Sequence, residues 1–386
     1  MKSCDIFCNV IDNYGDIGVC WRLAKQFAQE HNLNVRLWID DICSFAKLCS
    51  EVDVALEKQN CCGVEVCLWR TDFSEVQPAD LVIEAFACQL PPNYIQTMLH
   101  AELQPVWINL EYLSAEDWIQ GCHALPSPHP SLPLTKYYFF PGFTDKTGGL
   151  LIENNLLARR DTFQSDVEQQ RVFWESLGVE MPANDTLKVS LFAYENAALN
   201  GLFDIWAASP QPLLCLVPEG RILPQLGAYF GDGSPSVGNE YVRGNLRVRV
   251  LPFITQVNYD LLLWACDVNF VRGEDSFVRA QWTGRPFIWQ IYPQHDEVHH
   301  AKLNAFLNLY TAQLSVSARL AVSELFTAWN KEADPGQMWS VFINSQVELN
   351  QHAKNWADEL SKNNLALNLL DFCQNIGRIR AFEIEG

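Results

Sequence analysis

Two short stretches of this chain combine residue types that can do chemistry. The first is Arg272-Gly273-Glu274-Asp275-Ser276, between the apolar run Val268 to Val271 and a helix that Gly284 should end. Ser276 is a good N-cap, the free N–H groups behind it can hold an anion, and Arg272 adds a fixed cation. That set suits a phosphate-bearing ligand. Glu274 and Asp275 would repel a diphosphate if they pointed at it, so they are expected to reach sugar hydroxyls or a cationic acceptor. The second stretch is Asp12-Asn13-Tyr14-Gly15-Asp16, a turn after the run Asp5 to Ile11. Read locally, Asp16 is an N-cap and Asp12 a turn residue. Two acidic turns at equivalent points of two halves, Asp12 with Asp16 and Glu274 with Asp275, however, suit the activation of a cationic nucleophile.

Phe192, Tyr194, Phe253 and Gln256 fall at strand or loop ends on the side of Arg272. An aromatic sandwich with one amide can stack and hydrogen-bond a nucleobase, although any one of them alone reads better as core. Tyr292 ends the following strand, where it either donates to a phosphate or packs. His295-Asp296-Glu297-Val298-His299 sets two histidines at i, i+4, but Asp stands where the zincin motif wants Glu and no third ligand is signalled. A capped surface helix is the expectation there. No DxD lies beside the nucleotide loop, and neither GxGxxG nor GxxxxGK[ST] occurs, so no metal and no cofactor are expected.

These residues need elements to hold them. A helix is predicted from about Gly18 to Glu30, with Ile17, Trp21, Ala24, Phe27 and Ala28 on one face. Val35 to Ile39, Val64 to Trp69, Leu81 to Glu84 and Val106 to Asn109 read as strands. A loop-rich region from Leu125 to Gly149 follows, then an amphipathic helix around Asp166 to Leu177 and a linker at Pro182 to Asp185. Strands resume at Leu187 to Tyr194, Leu213 to Val217, Leu246 to Leu251, Val268 to Val271 and Phe287 to Ile291. Gly227 to Gly244 reads as a mobile loop, and from Ala318 onward only helices are signalled. Strands alternating with helices give mostly parallel, doubly wound sheets. The expectation is an α/β chain of two Rossmann-like domains, residues 1–182 and 183–386, facing a central cleft, with the terminal helices free to pack back on the first domain.

The composition narrows the partners. A chain of 386 residues, 48% hydrophobic, can fill two cores. Its formal charge of −19 opposes non-specific binding to nucleic acid or an anionic membrane. The first 150 residues are the more densely acidic, which either draws a basic acceptor or serves solubility. The 13 cysteines include no CxxC pair, against both a disulfide framework and a zinc ribbon. Asp5 and Asp12 interrupt any signal sequence and no run approaches membrane-spanning length, so a cytoplasmic protein is expected.

CNVIDNYGDIGVCWRLA (8–24), IEAFACQLP (83–91), INLEYLSAE (108–116), PGFTDKTGGL (141–150), LPF with Gln256, and FVRGEDSFVRAQ (270–281) through IYPQ (291–294) run in that order along the chain. In these blocks the sequence resembles the EarP family, protein-arginine rhamnosyltransferases that modify elongation factor P. The resemblance implies a GT-B fold and an inverting, metal-independent transfer of L-rhamnose from dTDP-β-L-rhamnose to an arginine on a loop in the N-terminal domain of elongation factor P. It implies that Asp16 is the general base, with Asp12 and Glu274 also required. Phe192, Phe253, Gln256, Arg272, Asp275, Ser276 and Tyr292 are implied to hold the nucleotide-sugar. The region after Ala318 matches no motif of the family.

This chemistry fits the residues. Arginine stays protonated and its lone pairs are delocalised, so carboxylates must clamp the guanidinium and accept its proton as the C–N bond forms. The rival reading is a GT-B transferase with another nucleotide-sugar and a small-molecule or glycan acceptor. An NAD-dependent oxidoreductase is opposed by the missing GxGxxG. A non-catalytic nucleotide-binding module would keep its function in Asp16→Asn.

Overall fold

The first strand, Ser3–Cys8, is buried along nearly its whole length, as a central strand of a parallel sheet must be. The computed structural model describes residues 1–10, 14–70, 72–293 and 298–385, with side chains through 378. The chain divides into two units, Met1–Asn154 with Leu360–Gly386, and Asn155–Glu359.

The first unit carries β1 (Ser3–Cys8), β2 (Asn34–Ile39), β3 (Lys58–Cys61), β4 (Val64–Leu68), β5 (Leu81–Ala85), β6 (Val106–Leu110), β7 (Pro126–Pro128) and β8 (Thr135–Phe139). They form one sheet in the order β3-β4-β2-β1-β5-β6-β8-β7. The parallel strands follow the doubly wound pattern, with β1 pairing β2 on one side and β5 on the other. The edge strands β3 and β7 are antiparallel and were not signalled in the sequence. One is polar and the other contains two prolines, compositions that a sheet tolerates only at its edge. Asp5, fully buried in β1, accepts from Arg36 Nε at 2.5 Å and Nη2 at 2.6 Å, Trp38 Nε1 at 3.1 Å, the Ala79 N–H at 3.0 Å and the Tyr94 hydroxyl. These donors compensate the buried charge and lock β1 to β2. Phe7, Trp38, Val82, Tyr94 and Trp107 pack a core cluster beside it.

The second unit carries β9 (Leu187–Leu191), β10 (Leu213–Pro218), β11 (Glu240–Arg243), β12 (Leu246–Leu251), β13 (Val268–Arg272) and β14 (Phe287–Gln290), in the order β11-β12-β10-β9-β13-β14. All pairs are parallel except β11 with β12. The strand order reverses between β9 and β13. Part of the expected mobile loop is structured instead. A helix, Leu223–Phe230, enters it and β11 closes it. Phe230 stacks on Tyr241 at 4.9 Å, and Tyr241 donates to Asp232 at 2.6 Å.

The unit boundary differs from the expected break at residue 182. The helices Leu156–Ser165 and Val167–Ser176 belong to the second unit. Phe163 packs against Phe173 and Trp264, and Gln164 Nε2 donates to the carbonyls of Trp264 at 3.2 Å and Thr283 at 3.0 Å. The last helix, Leu365–Glu385, belongs to the first unit. Its Phe372 packs on Tyr137 and Phe139, and Leu150 bridges Asn364. Gly149, at φ +80°, makes this possible, since a Cβ there would lie 2.1 Å from the Asn363 carbonyl oxygen. Among the described residues, no helix is long and apolar enough to cross a membrane.

Candidate active site

An open α/β sheet binds ligands beyond the C-terminal ends of its strands, where the strand order reverses. In the second unit that point lies between β9, followed by Phe192 to Tyr194, and β13, followed by Gly273 to Ser276. Of the residues selected from the sequence, Phe192, Tyr194, Arg272, Ser276 and Tyr292 gather here, with Gln256 bonded to Asp275.

Arg272 ends β13 and is 8% exposed. Its guanidinium carbon lies 4.3 Å from the Phe192 ring centre and 4.5 Å from that of Tyr194, and its Nη1 donates to the Ala193 carbonyl at 3.3 Å. Two aromatic faces thus hold the planar cation in one orientation. Phe192, expected to stack on a nucleobase, stacks here on the arginine. Its ring meets Tyr259 at 5.7 Å, and burial pushes the Tyr259 hydroxyl above its ordinary value, keeping it protonated. Tyr292, 42% exposed, packs edge-on against Tyr194 at 5.7 Å.

The turn that follows is held from β14. Gly273 adopts φ +62°, a conformation suited to glycine. Its N–H donates to the Gln290 carbonyl at 3.2 Å, and its own carbonyl accepts from Trp289 Nε1 at 2.7 Å. The helix begins at Asp275, with Glu274 as the residue before it and no side-chain cap. Ser276 is therefore not the N-cap. It is the second helical residue, and its Oγ turns back to bond the Arg272 backbone. Asp275 accepts from Gln256 Nε2 at 3.3 Å, and Gln256 opens the helix Gln256–Ala265. A buried pair ties the two helices together, as Arg279 Nε and Nη2 each donate to Asp260 at 2.8 Å. Phe253 sits half-buried on the segment between β12 and Gln256.

In the first unit the helix Gly15–Glu30 follows β1, and Asp16, 4% exposed, is its second residue. Tyr14 precedes the helix, and no side chain caps it, so Asp16 is not the N-cap either. Asp12 lies outside the described residues, as does His295 of the histidine pair. His299 is on the helix Val298–Tyr310. Asp40, after β2, accepts from the Val10 N–H at 2.9 Å and from Asn9 Nδ2 at 3.0 Å, fixing the chain as it leaves β1.

Beside it lies a pocket of about 400 Å³ lined by Asn9, Val10, Asp40, Trp69 and the segment from Ala85 to Gln89. Phe86 and Ala87 both adopt left-handed backbone, φ +55° and +56°. Such conformations are costly away from glycine and cluster at ligand sites. Phe86 stacks on Tyr112 at 4.5 Å. This pocket occupies the reversal point of the first sheet, between β1 and β5. Sequence reasoning did not select it, because its lining residues come from four separate stretches of chain that only the assembled sheet brings together. Gln290 was missed likewise. Its Oε1 accepts the Tyr194 N–H at 2.9 Å, positioning the ring that covers Arg272.

Two doubly wound units, one with a buried arginine at its reversal point, are the fold of the GT-B glycosyltransferases. Consistent with that class, the MurG structure of Acinetobacter baumannii superposes with a TM-score of 0.50 at 12% identity, covering 97% of this chain and 100% of that one, a likeness of fold alone. The chain belongs to the EarP family, whose model, described as Elongation-Factor P (EF-P) rhamnosyltransferase EarP, matches residues 4–374. A protein-arginine rhamnosyltransferase of Pseudomonas putida is 50% identical over 372 residues, covering 96% of this chain and 98% of the relative. A solved structure described as the structural basis for EarP-mediated arginine glycosylation of translation elongation factor EF-P superposes with a TM-score of 0.68 at 38% identity, covering 97% of this chain and 99% of that one.

Proposed function

We propose that this chain is an inverting protein-arginine rhamnosyltransferase that moves L-rhamnose from dTDP-β-L-rhamnose to an arginine of elongation factor P, without a metal. The observation that carries this reading is the 50% identity, over nearly the whole length of both chains, to a protein-arginine rhamnosyltransferase. A translation factor as acceptor makes the cytoplasm the place of work.

In this mechanism Arg272 and the N–H groups of the turn behind it hold the diphosphate, supplying the charge that a metal supplies in other transferases. Phe253 and Gln256 engage the base, Asp275 and Ser276 shape the phosphate and sugar end, and Tyr292 closes on the phosphates from its exposed position. A guanidinium nitrogen of the acceptor attacks the anomeric carbon from the face opposite the leaving group. The C–N bond forms as the bond from that carbon to the phosphate oxygen breaks, and dTDP leaves with the electron pair. Asp16 takes the proton released from the guanidinium, with Asp12 orienting the nucleophile. Positive charge builds on the sugar in the transition state, and Glu274 stabilises it. General-base assistance of this kind is worth roughly 10²–10⁴ in rate.

The test is the intact mass of elongation factor P after incubation with this protein and dTDP-rhamnose in EDTA. One added deoxyhexose is expected, absent with Asp16→Asn and with an acceptor lacking the target arginine. No added mass while dTDP still binds would overturn the acceptor assignment. Turnover only after a divalent metal is restored would overturn metal independence.

A further inference from the structure

The 13 cysteines contain no CxxC pair, yet the fold collects several at one place in the first unit. Cys49 is the C-cap of the helix Ile42–Leu48, and a turn closed by the Val52 N–H to the Cys49 carbonyl at 3.2 Å brings Glu51 back beside it. Cys61 ends β3, and Cys62-Gly63 makes the hairpin turn into β4. Both turn residues have positive φ, +51° and +82°, a conformation that Asn-Gly or Gly-Gly ordinarily fills. The sulfurs of Cys49 and Cys61 and a carboxylate oxygen of Glu51 all lie within 4.8 Å of one another. Cys62 Sγ stands 3.7 Å from Glu51 Oε2. Among the described residues, this is the one group of three or more cysteine, histidine and acidic side chains with such spacing.

We infer that Cys49, Cys61 and Glu51 form a zinc site, beside which Cys62 lies against Glu51. Tetrahedral zinc with sulfur ligands at about 2.3 Å separates its donor atoms by about 3.8 Å, so this set needs only small side-chain adjustments to close on an ion. Two thiolates select a borderline-soft ion over magnesium or calcium, which take oxygen ligands. Each thiol that binds releases its proton to solvent. Cys49 and Cys61 are buried while Glu51 and Cys62 are exposed, so the ion enters from the outer side.

The location assigns a structural role. Gln29 Nε2 donates to the Cys62 carbonyl at 3.0 Å, which puts the site at the tail of the helix that carries Asp16 in its first turn. At 1.5 Å per residue the two ends are about 20 Å apart. The ion would pin that helix tail, the helix Ile42–Leu48 and the β3–β4 hairpin together, away from the transfer chemistry.

The full chain, reduced and stripped with a chelator, is titrated with Zn²⁺ and separately with Co²⁺ as an optical reporter. One ion per chain and a sulfur-to-cobalt charge-transfer band are expected. Cys49→Ser with Cys61→Ser should weaken binding by more than about 100-fold, beyond what loss of an outer partner does. Glu51→Ala should weaken it by about 10-fold or more. Cys43→Ser, an exposed cysteine outside the group, should change nothing. A stripped chain that takes up neither ion, or binding that survives loss of both thiols, overturns the site. Unchanged affinity in Glu51→Ala overturns it too, and that exposed substitution decides the matter should the buried variants fail to fold.

Discussion

The hydroxyl of Ser276 closes on both backbone groups of Arg272, accepting its N–H at 3.0 Å and donating to its carbonyl. One side chain in the first turn of a helix thus finishes the last residue of the preceding strand. The same residue carries the guanidinium stacked between Phe192 and Tyr194.

Ser276→Ala leaves a buried N–H and carbonyl at Arg272 without this partner. Such losses cost about 1–3 kcal/mol. Urea unfolding should show that loss, and calorimetric titration should show weakened dTDP binding. A variant with native dTDP affinity would separate the hydroxyl from the placement of Arg272.

Arg272→Lys keeps the charge but loses the planar fork and both stacked faces. A loss of dTDP affinity of about 10- to 100-fold is expected, the scale of one charge-assisted hydrogen bond. Unfolding free energy should change far less than affinity does. Equal binding by the lysine variant would mean that charge alone holds the ligand.

Asp260→Ala takes the carboxylate away from the Arg279 guanidinium, which is 1% exposed. Breaking one side of a buried pair costs about 3–5 kcal/mol. Because the pair joins the helix bearing Gln256 to the helix bearing Asp275 and Ser276, dTDP binding should weaken along with stability. Thermal unfolding with and without dTDP reads both effects.

His123 accepts the Phe140 N–H at its Nδ1, 3.1 Å away, and burial holds its pKa below the ordinary histidine value. The folded state therefore favours the neutral ring. Its contribution is fully present above the unfolded value of about 6.5 and is lost as the pH falls from there through the lowered folded value. Urea midpoints should drop as the pH falls below about 6.5, and His123→Asn, which can still accept the Phe140 N–H, should flatten part of that drop. An unchanged slope in the variant would remove His123 from the acid response.

The strand-turn-helix-strand unit from Val268 to Gln290 was legible because its strands are mostly apolar, Asn269 being the one polar residue between Val268 and Val271, and Gly273 and Gly284 mark its turns. The role of Ser276 was not. Moving the helix start by two residues, from Ser276 to Glu274 as the residue before it, converts an N-cap into a hydroxyl that bonds the strand, and helix ends are where sequence signals are weakest. Asp260 and Arg279 show no helical or strand spacing, and neither do Gln290 and Tyr194, so their pairing exists only once the sheet is assembled. Pro182-Ala183-Asn184-Asp185 has the composition of a linker, yet the packing of Phe163 and Phe173 on Trp264 decides the boundary instead.

The chain leaves its first unit at Asn154 and re-enters it at Leu360, so the second unit is inserted within the first. On the ribosome this reverses the usual order, in which the N-terminal domain is finished first. The eight strands of the first sheet are all synthesised by Phe139, but the residues that clasp Gly149 and Leu150 and cover Tyr137 and Phe139 emerge only after the whole second unit. The later unit closes on contiguous chain while the earlier one waits, its aromatic face uncovered, for the final helix. A nascent chain halted before residue 360 therefore carries one finished unit and one unfinished unit, and it is the unfinished one that bears Asp16.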